Sequence, residues 1–380
     1  MTLASSEPNQ AATVAPASPS RLRRWARRLG LLLLLLGLTA LLAEGVVLLV
    51  LGEQPKFPRR VVSATWGLRI NEPGARYRHK SADVNVTFEI NGQGMRADRE
   101  FAHAKPAGKK RIVSLGDSFT VGYEVAAEDT FSSVLERELR RDGIDVDVLN
   151  CGVSGFSTAE ECLYLERELL RYEPDLVLVS FFPNDFDDNL RTGLFRLEGE
   201  KLVGGEGDYV PAGGFGDFLN RNAFFNLLSE HSNAFCALKE AATSFFKRQM
   251  VEEGAERASA ASAAGAPEGE ELTKLRRRLG AAIFERMYGV TRRLGIPLVI
   301  HSIPSRLGVP ERTLEELFPS EFFDVKRDGL LFVSAKKVLE PELGQRRLYF
   351  DRSHGHWTPL SHELAGKELA RRITAAVLLR

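Results

Sequence analysis

Three short apolar runs, each closing on a polar turn, constrain this chain most. Ile112-Val113-Ser114-Leu115 stops at Gly116. Val146, Val148 and Leu149 lead into Asn150-Cys151-Gly152, and Leu176-Val177-Leu178-Val179 leads into Phe181-Phe182-Pro183-Asn184-Asp185. Between the first two, Phe131, Val134, Leu135 and Leu139 recur at helical spacing, and a second helix is expected over about 158–172. A further helix near 272–294 precedes a strand at 296–300. Strands alternating with helices predict a parallel sheet covered on both faces. Such sheets hold their sites beyond the carboxyl ends of the strands.

The alternation breaks between about 190 and 272, which predicts an insertion after the third strand. Residues 204–216 are rich in Gly, and 221–247 in Phe and Leu, which reads as a packed helix. Residues 254–270 carry no aromatic side chain and read as a flexible linker. Ahead of the α/β pattern, residues 53–110 read as a β-rich lead-in. There Val84, Val86, Phe88 and Ile90 alternate with polar residues, and Asn91-Gly92 reads as the hairpin turn that follows.

The N-terminal part has a different character. Residues 1–20 are rich in Ala, Ser, Pro and Thr and read as a disordered tail. Arg21, Arg23, Arg24, Arg27 and Arg28 follow, and then residues 30–51 with a single charge, Glu44. Roughly 20 apolar residues span a bilayer core as a helix. We therefore expect a transmembrane helix at 30–52, with the basic segment 1–29 in the cytoplasm and the rest of the chain outside it. The competing reading is a cleavable signal peptide, with an apolar region at 31–39 and a cleavage site at 40–43. The apolar run at 46–51, beyond that site, favours a helix that is retained. Glu44 is costly in lipid and needs a partner.

Lys and Arg number 51 and Asp and Glu number 51, so a basic footprint for nucleic acid is absent. Cys151, Cys162 and Cys236 permit at most one internal disulfide, and buried free thiols are expected.

Chemistry enters at the strand ends. Gly116-Asp117-Ser118-Phe119-Thr120 places a serine between a strand and a helix. Gly152 permits close backbone approach, and Asn184 offers an amide. A nucleophile with nearby donors suits acyl transfer. A base is expected from Asp351-Arg352-Ser353-His354-Gly355-His356-Trp357-Thr358-Pro359. Thr358 and Pro359 read as N-cap and first residue of a last helix, whose apolar face is Leu360, Leu364, Ile373 and Val377.

These blocks together resemble the SGNH hydrolase superfamily, also called the GDSL-like lipase/esterase family. Gly116-Asp117-Ser118-Phe119, Gly152, Asn184-Asp185 and the C-terminal histidine segment stand in its order. The resemblance covers about residues 111–375 apart from the insertion, and implies a three-layer α/β/α, flavodoxin-like domain over 111–380. It implies Ser118 as nucleophile, and an oxyanion hole from the Ser118 and Gly152 N–H groups and the Asn184 side chain. It implies a histidine base, oriented in many members by an aspartate three residues earlier. Asp351 and His354 have that spacing. His356, however, is followed by Thr358 and the last helix, as the family's base typically is. His356 is therefore the expected base, His354 the alternative, and Asp351 the expected orienting acid. A Ser–His dyad held by a backbone carbonyl is the other arrangement.

The expected activity is that of a membrane-anchored extracytoplasmic serine esterase. Its substrate would be an ester, of an acylated glycan or a lipid. Two alternatives remain open: an O-acetyltransferase or deacetylase of envelope glycans, and a non-catalytic envelope protein that keeps the fold. No cofactor is expected. No metal is expected either, since His354, His356 and His362 lack zinc spacing and Asp185, Asp187 and Asp188 lack an EF-hand pattern. His79, His103, His231 and His301 read as structural or exposed.

Overall fold

The computed structural model describes residues 21–210, 218, 221–260, 269–307 and 313–379. The tail expected at 1–20, part of the Gly-rich stretch and the middle of the expected linker lie outside the described residues.

The chain starts with a long apolar helix, α1 (Arg21–Val50), none of whose residues is buried. It is the one described helix long and apolar enough to cross a membrane. Two small antiparallel pairs follow: β1 (Val61–Ser63) with β2 (Arg69–Asn71), and β3 (Arg76–Lys80) with β4 (Asn85–Glu89). The alternating run ending at Ile90 thus pairs with the strand before it. Asn91-Gly92 does not close a hairpin. The Asn91 side chain instead accepts the N–H groups of Gln93 and Met95, at 3.0 and 2.9 Å, and makes a capped turn.

The α/β part comprises β5 (Lys110–Leu115), α2 (Ser118–Val121), α3 (Phe131–Arg141), β6 (Val146–Asn150), α4 (Thr158–Arg167), β7 (Leu176–Phe181) and α5 (Asp185–Thr192). A hairpin of β8 (Phe195–Glu198) and β9 (Lys201–Gly204) opens the insertion, followed by α6 (Ala223–His231) and α7 (Asn233–Ala260). The chain returns to the core through α8 (Gly269–Arg293) and β10 (Leu298–Ser302). A small pair of β11 (Ser305–Leu307) and β12 (Thr313–Glu315) precedes β13 (Leu330–Ser334), α9 (Lys336–Leu339) and α10 (Pro359–Ala375).

The central sheet has five parallel strands in the order β13-β10-β7-β5-β6. Counted along the chain this is 2-1-3-4-5, the flavodoxin-like order, with its switch point beside β5. Alternate strand residues face opposite layers. Val113, Val177, Val179 and Ile300 pack with α4 and α8, while Ile112, Leu176, Leu178 and Val299 pack with α3 and α10. Both faces are covered, which is why the strands read as unbroken apolar runs.

Two expectations are corrected in the insertion. Residues 254–260 continue α7 rather than forming linker, because Gly254 packs against the α5 backbone, where a Cβ would come within 2.1 Å of the Leu190 carbonyl oxygen. The Phe-rich stretch is two helices rather than one packed helix, and Phe224, Phe245 and Phe246 are exposed. The last helix ends before Val377, which adopts a left-handed φ of 59°. The three cysteines are buried free thiols, as expected.

Candidate active site

The first site loop is set by a glycine. Gly116 has φ +152°, and a Cβ there would lie 2.0 Å from Thr120 Oγ1, so the turn from β5 into α2 tolerates no side chain. Asp117 caps α2 by accepting the Phe119 N–H at 2.9 Å. Ser118 is the first residue of α2, and its hydroxyl is partly open to solvent at the carboxyl end of β5.

Gly152, after β6, sits hard against α2. A Cβ on it would come within 2.3 Å of the Val121 nitrogen. Its N–H donates to Asn150 Oδ1 at 3.1 Å, so this expected oxyanion donor is engaged within its own turn. Asn184, which follows β7 and precedes α5, donates through Nδ2 to Asp188 Oδ2 at 3.1 Å. Asn184 Oδ1 has no hydrogen-bond partner among the described residues.

The last block brings the expected base to the serine. His356 Nε2 lies 2.8 Å from Ser118 Oγ. The imidazole is held between the rings of Phe119 and Tyr123, with centroids 4.9 and 5.0 Å away. Thr358 precedes α10, but its hydroxyl donates to the Arg347 carbonyl at 2.8 Å instead of capping the helix, and Pro359 takes the first helical position. His354, the alternative base, turns its ring toward His79 and Tyr123 and away from this contact.

Asp351, the expected orienting acid, does not stand beside His356. The Asp351 side chain is 56% exposed and pairs with Arg306 at 2.9 Å. Reverse turns at 351–354 carry it out to solvent. The carboxylate behind His356 belongs to Glu124, whose Oε2 lies 3.3 Å from His356 Nδ1, close but not aligned as a linear hydrogen bond. The same carboxylate accepts the backbone N–H of His354 at 3.0 Å and of His356 at 3.2 Å. Glu124 is 1% exposed and stands at φ 71°, a conformation that costs a non-glycine residue about 1–3 kcal/mol. Burial would raise its pKa, but the contacts from His354 and His356 outweigh it and hold the carboxyl far below the usual range.

Glu124 was not legible as part of the site. The one signal is an acid between apolar neighbours, in Gly122-Tyr123-Glu124-Val125, six residues past the serine. His79, read as structural or exposed, also belongs here. It is fully buried on β3, with Nε2 3.9 Å from Glu124 Oε1. Desolvation lowers its pKa to about 3, so it is neutral. His79, Glu124 and His354 bring ligand-type atoms within 4.8 Å of one another, the one such group among the described residues. Its carboxylate is already shared by two backbone N–H groups and faces His356, which leaves little for a metal.

The lead-in holds both site loops. Arg96, buried, donates to the carbonyls of Val121, Gly122 and Val125 at 2.9, 2.6 and 2.7 Å, so it straps the loop carrying Glu124. Asn71 Nδ2 donates to the Gly152 carbonyl at 2.9 Å. Below the serine, Asp117, Glu161 and Asp185 form a buried acidic group, each with its pKa raised by desolvation.

Residues 114–221 match the model of the GDSL-like Lipase/Acylhydrolase family. That segment is thus similar to a GDSL-like lipase/acylhydrolase domain. An arylesterase of Vibrio mimicus is 38% identical over 82 residues, which is 22% of this chain and 40% of that protein. The chain thus matches less than half the length of that relative. Among solved structures, a putative lipolytic protein of the G-D-S-L family from Desulfitobacterium hafniense aligns at 13% identity and a TM-score of 0.35, covering 69% of this chain and 98% of that one. An acetylxylan esterase from Geobacillus stearothermophilus aligns at 12% identity and a TM-score of 0.38, covering 70% and 94%.

Proposed function

We propose that this GDSL-like domain is a serine esterase, held at a membrane by α1 with the catalytic domain outside the cytoplasm. The observation that carries the chemistry is the 2.8 Å contact between His356 Nε2 and Ser118 Oγ, with the Glu124 carboxylate behind the imidazole. His356 takes the Ser118 proton as Oγ attacks the ester carbonyl. Glu124 selects the tautomer with Nε2 unprotonated and steadies the imidazolium that forms. The tetrahedral oxyanion is received by the Ser118 N–H at the start of α2, with the Asn184 amide and the Gly152 N–H as further donors once they turn from Asp188 and Asn150. His356 returns the proton to the leaving alcohol, giving an acyl-enzyme. Water, deprotonated by the same imidazole, releases the acid and restores Ser118.

The anchor reading rests on the unburied apolar α1 and on the five arginines before the apolar run, which favour a cytoplasmic N-terminal flank. Short acyl esters and acetylated glycans are the substrates to try first. Ser118→Ala is expected to lower hydrolysis of p-nitrophenyl acetate by about 10⁶-fold, toward background, and to abolish labelling by a fluorophosphonate probe, with the fold retained. Undiminished turnover in that variant would end this reading.

A further inference from the structure

Glu44 sits inside the apolar run of α1, six residues before the helix's last residue, Val50. Its carboxylate accepts the N–H groups of Asn233 and Ala234 at 2.7 and 3.0 Å, Asn233 Nδ2 at 2.6 Å and the Ser232 hydroxyl at 2.9 Å. These are the residues that join α6 to α7. Asn233 also accepts the Gln54 N–H at 2.9 Å, so the corner spans the last turns of α1 and its exit. The charge that the apolar helix could not bury alone is thereby satisfied by the first turn of α7.

This contact fixes the depth of the corner. At 1.5 Å per residue, Glu44 lies about 9 Å below the end of α1. Amphipathic elements that bed in a bilayer surface reach about 5–10 Å into the boundary between headgroups and acyl chains. The side chains exposed near this corner include, beside His231 and Glu240, three large apolar ones. Phe224 and Leu227 lie on one face of α6, Leu238 lies on the second turn of α7, and each is more than half exposed. The opposite side of α6 is occupied, with Ser229 buried and the helix lying against β3.

We propose that the α6–α7 corner is an interfacial foot that beds in the lipid bilayer beside α1. The inference rests on the anchor reading and goes beyond it. Its occupant is lipid, because the corner is tied to a residue of the spanning helix at acyl-boundary depth. One spanning helix leaves a domain free to swivel, whereas a helix plus a foot fixes its face. A cleft of about 360 Å³ between the residues after α1 and α7 is lined by Gln54, Arg59, Lys239 and His354. The foot holds that cleft at the membrane surface.

The test uses the full chain in lipid nanodiscs. An environment-sensitive NBD probe is attached at L227C or, separately, at L36C within α1, the native thiols being buried. Nitroxide-labelled lipid and aqueous iodide serve as quenchers. Loss of emission at 227 to the lipid quencher, a blue shift, and insensitivity to iodide are expected. Quenching at 227 by iodide alone, with the probe at 36 quenched by lipid, overturns the foot and leaves the anchor standing. No lipid quenching at 36 overturns the anchor reading, and the foot with it.

Discussion

Glu124 meets His356 twice: its Oε2 lies 3.3 Å from the ring Nδ1 and accepts the backbone N–H of the same residue at 3.2 Å. One carboxylate therefore places the loop and orients the ring. Glu124→Gln is nearly isosteric, but its amide NH₂ would face one of the two backbone donors that the carboxylate now accepts. It is expected to lower kcat by roughly 10⁴-fold, the loss seen when a triad acid is replaced. Glu124→Gly removes the same carboxylate and also the left-handed strain. It is expected to lose activity to a similar degree and to lose at least as much stability, because both backbone N–H groups are left without an acceptor. Steady-state kinetics with thermal melts separates the two. Near-normal activity in both variants would remove Glu124 from the mechanism.

Asp351 provides the contrast. It stands at the spacing that the sequence motif favours, yet its partner is Arg306 at the surface. An exposed ion pair contributes about 0.2–1 kcal/mol. Asp351→Asn is expected to shift stability by no more than that and to leave kcat/KM close to wild type. A loss of activity comparable to that of Glu124→Gln would reverse the assignment.

What the sequence revealed and what it concealed divide along a physical line. The core strands were readable because burial on both faces makes Ile112, Val177 and their neighbours unbroken apolar runs. Ser118 and His356 were readable because each is tied to a local pattern, a strand-to-helix turn in one case and the entry to α10 in the other. Glu124 was not, because its role comes from a contact across 232 residues to His356, and nothing in its own segment records that. The hairpin of β3 and β4 was misread for a related reason. The Asn91-Gly92 pair satisfies a local turn, while the partner strand lies on the other side.

Arg96 is expected to act through Glu124. Its guanidinium spans three carbonyls of the 121–125 loop, a fork that the single ammonium of lysine cannot reproduce. Arg96→Lys keeps the charge but releases part of the strap. A displacement of about 1 Å in a catalytic group can cost on the order of 10²-fold, so a fall in kcat toward that size is expected, with KM changed little. Arg96→Met leaves the carbonyls without a donor and is expected to destabilise the fold, each buried carbonyl left unpaired costing about 1–3 kcal/mol. If Arg96→Lys instead raises KM alone, the residue shapes substrate binding and not the acid.

The buried acids beneath the serine set a pH dependence of stability. Glu161 has no hydrogen bond to either oxygen among the described residues. Desolvation, reinforced by Asp117 and Glu160, raises its pKa well above 4.5. A carboxyl whose pKa is raised on folding binds its proton more tightly in the native state. Its contribution is therefore fully present below the unfolded value, near 4.5, and is lost as pH rises through the folded value. Glu161→Gln is neutral throughout and keeps the shape. Its melting temperature should stay close to that of the wild type at pH 4.5 and exceed it increasingly as pH rises, because the unfolded wild type gives up a proton that the buried carboxyl holds. Melting curves of both proteins from that pH upward test the sign. A wild-type advantage that grows with pH would mean that the Glu161 carboxylate is stabilised in the folded state.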